Sequence, residues 1–268
     1  MKNSEELKEI VREKYASIAL ADKSEKKSCC TPACCTDGNE NSMADSYEGL
    51  KGYEPIADLG LGCGLPTEFA AIKTGDTVVD LGSGAGNDCF VARAETGETG
   101  RVIGVDMTAE MIKRARQNVA TLGYSNVDFR LGEIENIPVQ NNEADVVVSN
   151  CVMNLVPDKS RAFQEVFRIL RPGGHISISD VVLTGPLHDS LRKIAELYAG
   201  CVSGAIAKSE YLDIIKSCGF VNVKIQKEKS IEFPEEFIAE YLSPEELALV
   251  RKVNPGIESI SVYAEKPL

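Results

Sequence analysis

The stretch Thr77-Val78-Val79-Asp80-Leu81-Gly82-Ser83-Gly84-Ala85-Gly86 decides the fold class. Its first half is a short apolar run of the kind that forms a strand buried on both faces. Glycines at 82, 84 and 86 follow, and a helical pattern then runs through Cys89, Phe90 and Ala92. Without a Cβ, such a loop turns tightly and lets a ligand approach the backbone. The helix that follows aims its free amides and dipole at the same place. In an open α/β sheet, that crevice at the strand ends is the expected ligand site.

Working outward, short apolar runs alternate with helical periodicity. Residues 102–106, 127–131, 145–149 and 176–179 read as strands, with a helix at about 109–122 and a turn at Arg171-Pro172-Gly173-Gly174. This alternation predicts a parallel sheet with right-handed crossovers. Residues 186–218 read as mostly helical, interrupted by Gly200 and Gly204, and 221–227 and 260–264 as two further strands. Upstream, Leu7, Val11, Tyr15 and Ile18 recur at helical spacing among Lys and Glu. A polar linker at 21–46, broken by Pro32 and Gly38, carries Cys29-Cys30-Thr31-Pro32-Ala33-Cys34-Cys35. The expected division is an N-terminal helix and Cys-rich linker at 1–46, a ligand-binding core at 47–180, and a lid or C-terminal lobe at 181–268 that completes the sheet.

Composition narrows the functional classes. No apolar run approaches the roughly eighteen residues of a membrane span, and the charged N-terminus lacks a signal-peptide pattern, so the cytoplasm is the expected location. A net charge of -12 without a compact basic stripe argues against a nucleic-acid partner. Nine cysteines in a large α/β chain do not read as a secreted disulfide framework. Buried thiols, catalysis and soft-ion binding compete to explain them.

The loop spacing is G-x-G-x-G with Asp80 two residues ahead, whereas the dinucleotide fingerprint is G-x-G-x-x-G. S-adenosylmethionine has no pyrophosphate, so the loop need only pass close to its amino-acid end, and this donor is the favoured reading. The expected fold is therefore a Rossmann-like class I methyltransferase: a mostly parallel seven-stranded sheet with helices on both faces. Asp80, Gly82, Ser83, Gly84 and Gly86 form the candidate donor loop. Asp106, twenty residues past Gly86, ends the second strand, where a carboxylate accepts ribose hydroxyls; the competing reading is a simple strand-end carboxylate. Ile134 is placed equally well over adenine or in the ordinary core, and Glu133 near the adenine amino group or in solvent. Asn150, in Ser149-Asn150-Cys151, stands beside the methionine end.

Three cysteines have unusual settings: Cys63 between Gly62 and Gly64, Cys151 at the crevice mouth, and Cys201 in Gly200-Cys201-Val202-Ser203-Gly204. Singly, each is as readily a small buried hydrophobe, a description that suits Cys89 and Cys218 well. Only two histidines occur, His175 and His188, and both read as structural or surface residues. Methyl transfer to a good nucleophile needs no base; it needs alignment.

The chain resembles the arsenite S-adenosylmethionine methyltransferases. The likeness runs from Val11-Arg12-Glu13-Lys14-Tyr15 to Val262-Tyr263-Ala264-Glu265-Lys266-Pro267. It includes the loop extended to Asp88-Cys89-Phe90, and Ile103-Gly104-Val105-Asp106-Met107-Thr108, which adds Met107 to the donor set. Its most specific segment is Ser149-Asn150-Cys151-Val152-Met153-Asn154-Leu155-Val156-Pro157-Asp158-Lys159. Met153 and Asn87 depart mildly from the family pattern. The resemblance implies that Cys63, Cys151 and Cys201 gather around trivalent arsenic as catalytic ligands, with Cys63 in a redox or third-ligand role. It implies arsenite or its thiol conjugate as acceptor, and thioredoxin or glutathione as reductant of an enzyme disulfide. Cys34 or Cys35 matches a resolving or metalloid-capturing thiol, with a loose zinc site as the alternative. Two other functions compete: methylation of a small organic acceptor, and a non-catalytic thiol-rich metalloid-binding protein.

Overall fold

A computed structural model describes residues 4–21, 45–185, 204–231 and 256–268. Seven strands form one sheet: β1 Thr77–Leu81, β2 Arg101–Asp106, β3 Val127–Leu131, β4 Ala144–Asn150, β5 Leu170–Leu183, β6 Val221–Ser230 and β7 Ile257–Glu265. Their spatial order is β3-β2-β1-β4-β5-β7-β6. The first five pair in parallel, and β7 runs antiparallel to both β5 and β6. The helices are α1 Ser4–Leu20, α2 Asn87–Thr96, α3 Ala109–Leu122, α4 Lys159–Ile169 and α5 Lys208–Ser217.

Period-two alternation sorts the central strands between two cores. Val78, Val102, Val146 and Val148 face α2 and α3 and pack with Phe90, Ile112 and Ala115. Val79, Leu81, Ile103, Val147 and Ile178 face the other way, toward Phe163, Val166, Tyr211 and Ile215 of α4 and α5. Each such buried Val, Ile or Leu contributes about 1.5–3 kcal/mol, so the sheet is fixed by burial on both faces. Local signals set the helix ends. The Asp158 side chain caps α4 by accepting from the Arg161 N–H at 2.9 Å, and Gly123, in a left-handed conformation, closes α3.

Chain direction reverses its spatial progress between β1 and β4. Among the described residues, no crossover helix fills the space beyond their carboxyl ends, and the crevice opens there. The seven-stranded architecture agrees with the sequence expectation, but several elements run longer. The fifth strand extends from Leu170 to Leu183, and the turn at 171–174 sits inside it as an irregularity, where β4 advances from Ala144 to Val146 while β5 advances from Leu170 to His175. The helical expectation at 186–218 is observed over Lys208–Ser217; residues 186–203 and the linker cysteines lie outside the described residues. Among the described residues, no helix is long and apolar enough to cross a membrane.

Candidate active site

The glycine loop is shaped by hydrogen bonds to the second strand. The N–H groups of Gly82 and Ser83 both donate to the Val105 carbonyl, at 2.7 and 3.1 Å. Gly82 has φ +68°, and a Cβ there would run into the side chain of Val152, just after Cys151. Only glycine allows this approach. The carboxylate of Asp106 is fixed at the end of β2 by the Gly84 N–H at 3.0 Å and the Thr108 N–H at 2.8 Å. Burial raises its pKa, and the two amides oppose that rise.

Of the residues expected to meet the donor, Gly82, Ser83, Gly84, Asp106, Met107, Ile134 and Asn150 line one crevice, together with Cys151. Asp80, Gly86 and Glu133 do not line it. Asp80 is buried beneath the loop, accepting from the Cys89 thiol at 3.2 Å. Burial, with Asp88 and Asp106 nearby, holds its carboxyl well above the usual range. Gly86, at φ +100°, starts α2 against the Phe129 and Phe90 rings. Glu133 turns outward to Lys8 at 2.7 Å and Arg12 at 3.4 Å, and Glu135 lines the crevice in its place.

Those basic partners belong to α1, which roofs the crevice with Val11, Tyr15 and Ile18. Three of the four apolar positions legible in this helix therefore serve the site rather than a core, and no residue of α1 is buried. Lys8 bridges to Glu133 and Glu135, and the Arg114 side chain donates to the Ala19 carbonyl at 3.0 Å.

A polar network forms the floor. The Tyr47 hydroxyl donates to Asp88 Oδ2 at 2.8 Å, and the Asn150 amide donates to that hydroxyl at 2.7 Å. Burial pushes the Asp88 carboxyl up to about 6, against the two hydrogen bonds. Its other oxygen, Oδ1, is buried with no hydrogen-bond partner, as are Asn87 Oδ1 and Ser83 Oγ, and all three residues line the crevice. Three unsatisfied polar atoms at one glycine loop are what a polar ligand completes. Tyr47 was not singled out from sequence, and Asn87 and Asp88 entered only through the family resemblance, without a site role. Only the position of Asp88 in the first turn of a helix could have drawn attention to it.

The cysteines divide. Cys151 lines the crevice with φ +60°, its N–H donating to the Ser179 carbonyl at 2.7 Å. Cys63 is buried one layer behind, its N–H donating to Asn150 Oδ1 at 3.0 Å and its carbonyl accepting from Ser259 Oγ at 2.5 Å. Both thiols are near enough to Tyr211 to raise its hydroxyl pKa, after burial and Asp180. Cys201, Cys34 and Cys35 lie outside the described residues. Gly204, three residues past Cys201, packs so closely on the Asn154 carbonyl that a Cβ would collide with it. Among the described residues, no group of three His, Cys, Asp or Glu could hold a metal ion.

A methyltransferase-domain family matches residues 72–219. The arsenite methyltransferase of Halobacterium salinarum is 42% identical over 99% of this chain, which covers 68% of that protein. This chain belongs to the arsenite methyltransferase family. The arsenite methyltransferase of Aquipseudomonas alcaligenes is 36% identical over 54% of the chain, which spans 44% of that relative's length. A solved arsenic(III) S-adenosylmethionine methyltransferase from Chlamydomonas reinhardtii superposes with a TM-score of 0.64 at 32% identity, covering 77% of this chain and 68% of its own. The protein is thus a methyltransferase with S-adenosylmethionine as cofactor. The unsatisfied Ser83, Asn87 and Asp88 atoms and the half-buried Asp106 carboxylate in the crevice lining fit that polar, cationic ligand.

Proposed function

We propose that this protein methylates trivalent arsenic held on its own thiols, with Cys151 and Cys201 as principal ligands and Cys63 as the third ligand or redox partner. The observation that carries this reading is Cys151 in the wall of the donor crevice, with the Cys63 turn hydrogen-bonded to the preceding residue. Soft thiolates select a thiophilic centre.

Bound S-adenosylmethionine supplies an electrophilic methyl group on a sulfonium. Asp106, held by two amides, accepts the ribose hydroxyls; Met107 and Ile134 flank the adenine. The Asp88 carboxylate attracts the α-ammonium, and with Lys8 paired to Glu135, the carboxylates of Asp58, Asp88 and Asp106 outnumber the remaining Lys14 and favour a cation in the crevice. The thiols hold arsenic with its lone pair toward the methyl group, and alignment supplies the catalysis. Val11, Tyr15 and Ile18 of α1 shield the donor from water. Methylation leaves arsenic formally pentavalent. Oxidation of two enzyme thiols to a disulfide returns it to the trivalent state, and thioredoxin or glutathione then reduces the disulfide. That cycle suits the reducing cytoplasm. In this reading residues 47–180 bind the donor, 181–268 complete the acceptor side, and Cys34 or Cys35 serves as a resolving thiol.

The test is methylation of arsenite by purified protein with labelled donor and a thiol reductant. Methylated arsenic should form with the wild type, and Cys151→Ser should lose at least about a hundredfold in rate while binding donor normally. A folded, donor-binding wild type that leaves arsenite unmodified overturns the acceptor assignment.

A further inference from the structure

Asn150 occupies a position that its expected role as a donor contact does not explain. Its amide has two N–H donors and one carbonyl acceptor, and all three face partners. Nδ2 donates to the Tyr47 hydroxyl at 2.7 Å and to the Gly64 carbonyl at 2.8 Å, with Asp88 Oδ2 at 3.4 Å. Oδ1 accepts from the Cys63 N–H at 3.0 Å. The partners therefore fix which way round the amide lies, because a flipped group would set an oxygen against the Gly64 carbonyl and an N–H against another N–H.

The surrounding backbone is built for this clamp. Gly62 has φ +120°, and a Cβ there would stand 2.7 Å from Asn150 Nδ2. Gly64 fits against Ser179, whose hydroxyl is 2.8 Å from Ser261 Oγ. The residue after Asn150 is Cys151, whose N–H is tied to the Ser179 carbonyl. One residue thus carries Cys151 on its backbone and grips the Cys63 turn with its side chain. Its third contact enters the donor floor through Tyr47 and Asp88.

We propose that Asn150 is a positioning residue that couples occupancy of the donor crevice to the placement of the Cys63 and Cys151 thiols. A ligand ammonium on Asp88 orders the Tyr47 hydroxyl, which orders the Asn150 amide, which holds the turn at 62–64. Acceptor binding is then strongest when the donor side is filled, and by linkage the reverse holds equally. The inference rests on the acceptor reading above.

The test uses S-adenosylhomocysteine, which fills the donor site without reacting, and arsenite, with the full chain and the variants Tyr47→Phe and Asn150→Asp. In the wild type, S-adenosylhomocysteine should tighten arsenite binding at least about fivefold and slow amide exchange in the peptide holding Cys63. Tyr47→Phe removes one hydroxyl from the relay. Whatever change it makes to donor affinity by itself, the ratio of arsenite affinities with and without S-adenosylhomocysteine should fall below about twofold, with no added protection of that peptide. Asn150→Asp loses both N–H donors and sets a second carboxylate beside Asp88, so its donor affinity shifts as well, but its coupling ratio should fall in the same way; if it fails to fold, Tyr47→Phe decides. Wild-type coupling retained in Tyr47→Phe, or absent from the wild type while both ligands bind, overturns this inference alone. A wild type that binds S-adenosylhomocysteine but not arsenite overturns the acceptor reading, and the inference with it.

Discussion

Donor affinity should depend on pH through one buried carboxylate. The Asp88 carboxyl is pushed up to about 6, chiefly by burial, although Tyr47 and Asn150 hydrogen-bond to its Oδ2. Only the ionised form attracts the ammonium of the donor, so apparent affinity scales with the ionised fraction. At pH 7.5 that fraction is near unity; at pH 5 it is about one in eleven, and the dissociation constant should be about tenfold higher. The sign follows from linkage: the cationic ligand lowers the carboxyl pKa, binding releases a proton, and affinity rises with pH up to about 6 and then levels. Calorimetric titration between pH 5 and 7.5 measures this directly. S-adenosylhomocysteine carries the same ammonium without the sulfonium and should show the same slope. Asp88→Asn should flatten the profile and weaken binding at pH 7.5 by about two orders of magnitude, as expected when a buried ion loses its partner. A flat wild-type profile, or an unchanged slope in Asp88→Asn, refutes the assignment. A slope with S-adenosylmethionine alone would instead mean that the carboxylate reads the sulfonium.

Two further outcomes follow from the same geometry. Gly82→Ala places a methyl group into Val152 at φ +68°, and should cost about 2–4 kcal/mol, seen as a lower Tm and weakened donor binding; a wild-type Tm would show that the loop does not need the close approach. Asp180 is wholly buried with its carboxyl raised to about 7, against an ordinary 3.8, so the folded state holds an extra proton between those values. Stability should therefore fall as pH rises from about 4 to about 7 and stay lowest above that. Asp180→Asn should make this slope shallower in urea unfolding, the remainder coming from the other buried carboxyls raised by burial, Asp80, Asp88 and Asp106; a slope equal to the wild type would refute the Asp180 contribution.

The fold was legible because its signals are local. Apolar runs such as Val78-Val79 and Val146-Val147-Val148 are buried on both faces in a parallel sheet, and the alternation with helices leaves few topologies. The donor loop was legible for the same reason, since three glycines after a strand describe a turn within one stretch of chain. The register of β5 was not, because the turn at 171–174 stays within the strand, tied through Gly173 and Gly174 to Lys266 just past β7, while the pairing with β4 skips from Leu170 to His175.

Asp80 and Glu133 mark where local reading ends. Spacing put Asp80 in the candidate donor loop and left Glu133 open between the adenine amino group and solvent. Whether such a carboxylate faces a crevice, lies beneath its floor or turns outward depends on the partners that the folded chain brings to it. Asp80 is turned to Cys89 and Glu133 is drawn off by Lys8 and Arg12, more than a hundred residues away in the chain. The sequence by itself determined the sheet, the glycine loop and the candidate thiols, since each is a matter of composition and short-range period. Only the tertiary structure decided that α1 roofs the crevice, that Asp88 lines it, and that Asn150 joins its floor to Cys63. Those are contacts between distant segments, set by packing and by the need of buried polar groups for partners, and no local pattern encodes them. The glycine loop marks where the crevice lies, and the folded chain sets Cys151 in its wall.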